Sequence, residues 1–477
     1  MGPRSSTGSL HRGAPVAAHR PAAVSSHRSA AEIGTTAQGP RPVPPLGRQR
    51  TFRAPAMVDT TLDSGLRVIA VQRPAVPMVE LRLAVPFGGT SATHAARAEV
   101  LAATLLHGTS RRDRFHIDTE LAAVGGDLHA GVDPEHLSVS GSALASGLDV
   151  LLDVLADALT SASHAAAEVN HERARLVERI TVSRSKPRVI AREALQRHRY
   201  GDHPATREIP QASDVAAVTP TAVRTLHRRA LVPRGAVLVL VGDLTPAKAV
   251  DAVAAVLGEW RSDRTATELA PLPEVTGGNL QLVHRRGAVQ SSLRLSGQAL
   301  PRTDPRYPAL QLANLVFGGY FSSRWVENIR EEKGYTYSAH SGFEFTLHGA
   351  TLLADADTAS EVTAAALLET RYELGRIAIV PPKPSEVDSA RHYAVGSLTI
   401  ATSSQAGLAG NLTALAMLGL DADWLREHPA RLQAVSAEEV AAAATTFLAP
   451  SRFTGVVVGD AEELAGPLSA LGGVALP

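Results

Sequence analysis

The 477-residue chain has no cysteine, only four lysines (Lys186, Lys248, Lys333 and Lys383) and an aromatic content of 4%. Without cysteine there is no disulfide, no thiolate nucleophile and no thiolate-ligated metal. No stretch approaches the roughly 18 consecutive apolar residues that a membrane-spanning helix needs, so cytoplasm is the expected compartment, with no membrane partner. Arginine and alanine dominate where lysine is scarce, the usage of a GC-rich, bacterial coding sequence. With 44% hydrophobic and 20% charged residues the chain is that of a soluble globular protein of two to three domains.

Formal charge is zero, but it is unevenly spread. Residues 1–56 hold eight arginines against Glu32 alone, so this segment is +7 and the remainder −7. It is rich in Pro, Ser, Ala and His and has neither an apolar core for a signal peptide nor helical periodicity, so a disordered tail is expected. Met57 opens the folded stretch and is itself a candidate translation start. His11, His19 and His27 recur beside arginine with no carboxylate near them, which reads as solvated tail. The acidic remainder, poor in aromatics, points away from nucleic acid.

The most informative feature is a duplication. Pro233 and Pro450, Gly242 and Gly459, Asp243 and Asp460, Val223 and Val440, and Leu231 and Leu448 all pair at one offset. Each copy opens on a Ser or Thr helix cap, closes on Leu-x-Pro, and continues into an apolar run that ends in Gly-Asp. Leu81-Arg82-Leu83 and Leu293-Arg294-Leu295 echo each other near the front of each half. Whole-domain duplication follows, with an N-terminal domain at 57–261, a Pro- and Gly-punctuated linker at 262–278 and a C-terminal domain at 279–470.

Residues 66–71 and 79–85 read as paired strands, and Ala96–His107 as an almost wholly apolar, buried helix. Helix Gly147–Leu159 places Asp149, Asp153 and Asp157 on one face, a spacing suited to solvent. Further helices are expected at 165–183, 188–198, 220–231 and 246–258. The fold class is α+β, two homologous sheet-plus-helices domains in tandem.

The segments PFGGTSATHAARAEVLAATLLHGTSRRD, LAAVGGDLHAGVDPEHLSVSGSAL and HERARLVERI, in that order, resemble the first domain of the insulinase/pitrilysin metallopeptidase family, in its mitochondrial-processing-peptidase-like branch. LANLVFGGYFSSRWVENIREEKGYTYSAHSGFE is similar to that branch's second domain. The resemblance implies an inverted His-x-x-Glu-His zinc motif on the helix before Gly108-Thr109, with a distal Glu as third ligand. Those helix positions hold Glu99, Ala102 and Ala103. Catalytic zinc needs three side-chain ligands and a base beside its water, and two methyl groups supply neither. Glu172 and Glu178 lie near the distal position, and His94 and His107 flank the helix without i, i+4 spacing. No metal is therefore expected in this chain, nor catalysis by it alone.

The same resemblance implies that an Arg and a Tyr seven positions on bind the substrate backbone opposite the zinc, which falls on Arg330 and Tyr337. A guanidinium fork suits a peptide carbonyl or the oxyanion that develops from it. The residues by themselves also read as a helix-terminal cation and a strand aromatic, with Gly334 as C-cap between them. Gly318-Gly319 resembles a short form of the family's glycine-rich loop and is not a phosphate loop, since no Lys-Ser/Thr follows. The function implied is that of the non-zinc subunit of a heterodimeric zinc metallopeptidase, half of a clam-shell dimer. It would position a substrate peptide, such as a leader peptide, for a homologous partner that carries the zinc. The alternative is a structural or peptide-binding homologue that has lost catalysis. Arg324, beside Arg330, is expected to lie outside the chamber.

Overall fold

The computed structural model describes residues 55–347 and 349–477, together with a short antiparallel pair, 35–36 with 39–40. The disorder expected for 1–56 otherwise falls on residues outside that description. From residue 55 onward the chain forms one compact unit.

The N-terminal half runs β1 (Met57–Thr61), β2 (Arg67–Gln72), β3 (Met78–Pro86), α1 (His94–Thr104), α2 (Arg114–Ala123), β4 (Asp127–Val132) and β5 (His136–Leu144). It continues with α3 (Leu148–Ser161), α4 (Ala166–Arg184), α5 (Pro187–Tyr200), α6 (Ala212–Ala216), α7 (Pro220–Ala230), β6 (Val237–Gly242) and α8 (Pro246–Leu257). No regular element lies between Leu257 and β7 (Leu280–His284). After β7 come β8 (Gln290–Gln298), α9 (Tyr307–Asn314), α10 (Arg324–Val326), β9 (Ser338–Thr346), β10 (Gly349–Ala359), α11 (Thr363–Ile379) and α12 (Pro384–Ala401). The chain ends with α13 (Gln405–Met417), α14 (Asp423–Ala434), α15 (Ala437–Phe447), β11 (Phe453–Gly459), α16 (Ala461–Leu471) and β12 (Val474–Ala475).

The duplication is visible in the sheets. The first has the order β1-β2-β6-β3-β5-β4 and the second β12-β7-β11-β8-β10-β9. The repeated Gly-Asp segment gives the parallel partner in each, β6 on β2 and β11 on β7. Its helix caps are also present, as Thr219 accepts from the Ala222 amide and Ser436 from the Glu439 amide. The copies differ at one rim, where β1 is antiparallel to β2 but β12 is parallel to β7.

Both β6 and β11 are buried along their whole length, which is why they read as unbroken apolar runs and not as alternating strands. One face of each sheet packs on the helices of its own half. The other face is covered by the opposite half. Leu408, Ala409 and Leu412 of α13 pack on Ile69, Val71 and Val239, while Ala191 and Leu195 of α5 pack on Val456 and Val458. Each such buried leucine stabilises the contact by roughly 1.5–3 kcal/mol. Polar ties reinforce the exchange: Arg199 donates to Ser296 Oγ at 2.9 Å and to Glu344 at 2.9 Å, and Gln405 Nε2 donates to the Arg73 carbonyl at 2.6 Å.

Two expectations need correction. The apolar helix ends at Thr104, short of His107, because the Thr104 hydroxyl turns inward to Val100 O and His164 and the chain then bends through Gly108 at φ 126°. Asp157 does not share the wet face of Asp149. It is 2% exposed and receives hydrogen bonds from Thr109, Arg111, Arg112 and Ser161. The buried charge is tolerated because two guanidinium groups and two hydroxyls meet it.

Candidate functional site

On α1, Glu99, Ala102 and Ala103 stand at i, i+3 and i+4 and therefore share a face. Ala102 is buried and Ala103 packs against the core. Burial pushes the Glu99 carboxyl up, and Arg179 of α4, 3.6 Å away, only partly opposes that. Glu172, buried on α4, accepts from Arg175 at 2.7 Å, and Glu178 is exposed. His107 faces Glu168 at 3.1 Å, whereas His94 Nε2 lies 2.8 Å from the Phe87 carbonyl oxygen, so the two flanking histidines have separate partners. Among the described residues no three His, Cys, Asp or Glu side chains converge as metal ligands. Two methyl groups and one arginine-paired carboxylate do not fit a catalytic zinc. Arg179, which no reading of the motif singled out, puts a cation beside the face the metal ligands would need.

The second site is built around two π-helical turns, Leu315–Gly319 and Glu327–Glu332, that bracket the loop Tyr320–Ser323. A π turn takes one more residue per hydrogen-bonded ring than an α turn, so it re-aims the side chains that follow. Gly318 has to be glycine, since a Cβ there would lie 2.7 Å from Trp325 Cε3 and 3.1 Å from Ser341 Cβ. That close approach lets Phe317 and Trp325 stack with centroids 5.3 Å apart and rings within 3° of parallel. Trp325 Nε1 donates to Thr370 Oγ1 at 3.0 Å, and the buried Asn314 donates to Ser341 O at 3.2 Å.

Arg324 is a structural residue. Its guanidinium donates to both oxygens of Glu386 at 2.7 Å and to the Val380 carbonyl at 3.1 Å, joining the loop to α12. That fork holds the Glu386 carboxyl below the usual range. Asn328 is likewise anchored, donating to Glu369 and Glu373 of α11 at 3.0 and 2.9 Å.

Arg330 lies on the second π turn, partly exposed, with its guanidinium carbon 4.5 Å from the centroid of the Phe321 ring and its Nε 3.4 Å from Glu331. Gly334 ends the turn in the left-handed region, at φ 65°. Tyr337, at the mouth of the edge strand β9, is 96% exposed. Arg330 stacks on Phe321 and not on Tyr337, so the structure presents the two residues separately. Phe321, Trp325, Asn314 and Asn328 escaped sequence reasoning. The one signal for them was the unusual run of glycines and aromatics at Phe317–Phe321, which spacing alone does not decode.

A cavity of about 360 Å³ opens between α5 and the strands β8, β9 and β10, lined by Arg188, Arg192, Arg294, His340, Asp355 and Asp357 among others. Burial pushes the Asp355 carboxyl up to about 6, with Arg294 at 3.8 Å as partial counter-charge.

Two family models match the chain in sequence. One, the insulinase model of peptidase family M16, spans residues 67–213, and the other, the peptidase M16 inactive domain, spans residues 217–393. The chain belongs to the insulinase peptidase family. An uncharacterized zinc protease of Mycobacterium leprae is 28% identical over 301 residues, which cover 62% of this chain and 68% of that protein. Another from Streptomyces coelicolor is 28% identical over 291 residues, covering 59% of this chain and 63% of that protein. In fold the chain is similar to the crystal structure of a peptidase M16 inactive domain from Pseudomonas fluorescens, with a TM-score of 0.77 and 23% identity over 85% of this chain and 98% of that one. Among the described residues no helix is long and apolar enough to cross a membrane. The insulinase relationship thus reaches from residue 67 to residue 393, with residues 217–393 matching the inactive-domain model.

Proposed function

We propose that this chain is the non-zinc subunit of a two-subunit zinc metallopeptidase of the mitochondrial-processing-peptidase-like kind, in which it holds the substrate peptide for a zinc-bearing homologue. One contrast carries the reading. The face of α1 that would bind zinc offers Glu99, Ala102 and Ala103, while Arg330 is held by an ordered, two-turn π-helical platform. A residue set unfit for the metal, kept together with an organised cationic donor, suits a partner that supplies the metal. In this reading the zinc belongs to the partner subunit, and Arg330 and Tyr337 donate to the peptide backbone across the interface. The edge strands β4 and β9 offer main-chain groups to an extended peptide.

The test is co-expression with a homologue that retains His-x-x-Glu-His, encoded next to this chain, followed by light scattering and peptide hydrolysis. A stable heterodimer that cleaves peptides, when neither chain does so alone, supports the proposal. A monomer that ignores such a partner refutes it in favour of a structural homologue without catalysis.

A further inference from the structure

The surface around Arg330 carries a positioning residue that the Arg/Tyr pairing does not include. We infer that Phe321 orients the Arg330 guanidinium, so that an aromatic ring and not an acidic partner sets the direction of the substrate-binding donor. The inference rests on the proposed peptide-binding role of Arg330 for its purpose, but not for its geometry.

Arg330 contrasts with Arg324, six residues earlier, whose donors go to Glu386 and to backbone carbonyls. Among the described residues, the acid paired with Arg330 is its neighbour Glu331, 3.4 Å from Nε. The Phe321 ring lies under the guanidinium, its centroid 4.5 Å from Cζ. A ring face attracts the cation through its quadrupole yet accepts none of its in-plane N–H groups. The ring thus holds the plane of the fork without accepting from its Nη1 and Nη2 groups, while Glu331 faces Nε alone. Phe321 is 57% exposed, so its ring face is open to the guanidinium and not spent on the core. Its backbone is fixed from both sides. Ser323 Oγ donates to Tyr320 O at 2.6 Å, the Tyr320 ring stacks on Tyr393 at 5.0 Å, and Gly318 seats the loop on Trp325. Loop and π turn therefore present ring and guanidinium as one unit.

The test has two arms on the full chain. In the first, phenylglyoxal modification of Arg330 is followed by peptide mass spectrometry in the parent, Phe321→Leu and Phe321→Tyr. Leu should speed modification of Arg330 several-fold, Tyr should restore the parent rate, and other arginines should be unchanged. An unaltered rate in Phe321→Leu overturns the inference whatever Arg330 does. In the second, binding of a fluorescein-labelled casein peptide is measured by anisotropy in a double-substitution cycle. Phe321→Leu should weaken binding about three- to fivefold in the parent and have no effect in Arg330→Ala. Equal weakening in both backgrounds overturns the positioning role. If Arg330→Ala leaves the affinity untouched while the first arm holds, the peptide-binding reading falls and the stack stands.

Discussion

His164 and His227 are hydrogen-bonded ring to ring inside the N-terminal half, with His164 Nε2 2.8 Å from His227 Nδ1. The chain of contacts has one direction. The Leu159 carbonyl can only accept, so the His227 nitrogen 2.9 Å from it, Nε2, carries the proton and Nδ1 accepts from His164. His164 Nδ1 then lies 2.8 Å from the Thr104 hydroxyl, whose single proton is shared with the Val100 carbonyl at 2.7 Å. Both rings are neutral in this arrangement, and Thr104, the last residue of α1, is tied through them to α7.

A pH dependence follows. Burial, with His227 and Arg224 nearby, pushes His164 down to about 3, and burial lowers His227 as well. As pH falls below the ordinary value of 6.5, the unfolded chain takes up protons that the folded chain refuses. Stability is therefore full above about pH 6.5 and is lost toward pH 3, with a slope of about 1.4 kcal/mol per pH unit for each such histidine. His428, pushed down to about 4 by burial and by Arg302 and Arg431, adds to the same trend. Urea midpoints at pH 7.5, 6 and 5 should fall in that order, and His164→Asn should flatten the dependence. Asn is chosen because His164 sits at φ 40°, which Asn tolerates. A flat profile in the parent would show that the pair is charged when folded.

The Arg111–Arg112–Asp157 cluster predicts a second stability effect. Burial alone would push Asp157 up, but hydrogen bonds from Ser161, Thr109, Arg112 and Arg111 hold it at about 2. Asp157→Ala removes the shared acceptor and strands buried donors, so it should cost about 3 kcal/mol or more. Asp149→Ala, on the exposed side of the same helix, should change stability by less than about 0.5 kcal/mol. Thermal unfolding of the two variants decides, and equal effects would restore the picture of a solvent-facing aspartate row.

Much of this architecture was legible in the sequence, and the reasons differ by element. The repeated cap, Leu-x-Pro and Gly-Asp set β6 and β11 in equivalent places because each marks a local backbone requirement: a cap oxygen, a chain turn, a residue without Cβ. That Glu99, Ala102 and Ala103 share one face of α1 was legible too, since it follows from their i, i+3, i+4 spacing on a helix. Asp157 was misread because helical periodicity reports a face and not which residue of the next loop folds over it; the Arg111–Arg112 turn comes back onto that face. The structural role of Arg324 was not legible for the same reason, as its partner Glu386 lies 62 residues further along the chain. The π turn Glu327–Glu332 that carries Arg330 leaves no pattern in residue type.

Metal content is the third prediction. After dialysis the purified chain should hold no stoichiometric zinc by elemental analysis, because two of the three positions on α1 are methyl groups. One tightly held zinc per chain, removed by chelator together with a peptidase activity of its own, would require ligands outside α1 and overturn the division of labour proposed above.

Arg324→Ala is expected to damage the fold and not the chemistry. It deletes a buried fork and leaves Glu386 uncompensated against α12, so the loss of stability should be about 3 kcal/mol. It is therefore unsuitable as a control for Arg330, and Lys333→Ala serves better. Lys333 is an exposed neighbour whose 3.7 Å pairing with Glu369 is worth less than about 1 kcal/mol.

With that control, Arg330→Ala in the reconstituted pair should lower turnover about a hundredfold, since a charged donor aimed at the scissile region is worth roughly 3 kcal/mol in the transition state. Arg330→Lys keeps the charge but loses the planar fork and its seat on Phe321, so only part of the rate should return. Tyr337→Phe removes a neutral hydroxyl from a residue that already faces solvent, and a loss of only several-fold is expected. Assembly and thermal stability should be unchanged in all three, because Arg330 is partly exposed and ends no buried network. Turnover equal to that of Lys333→Ala, with stability intact, would reduce Arg330 to a cation near the end of its helical turn. The zinc-bearing partner would then have to supply its own oxyanion donor.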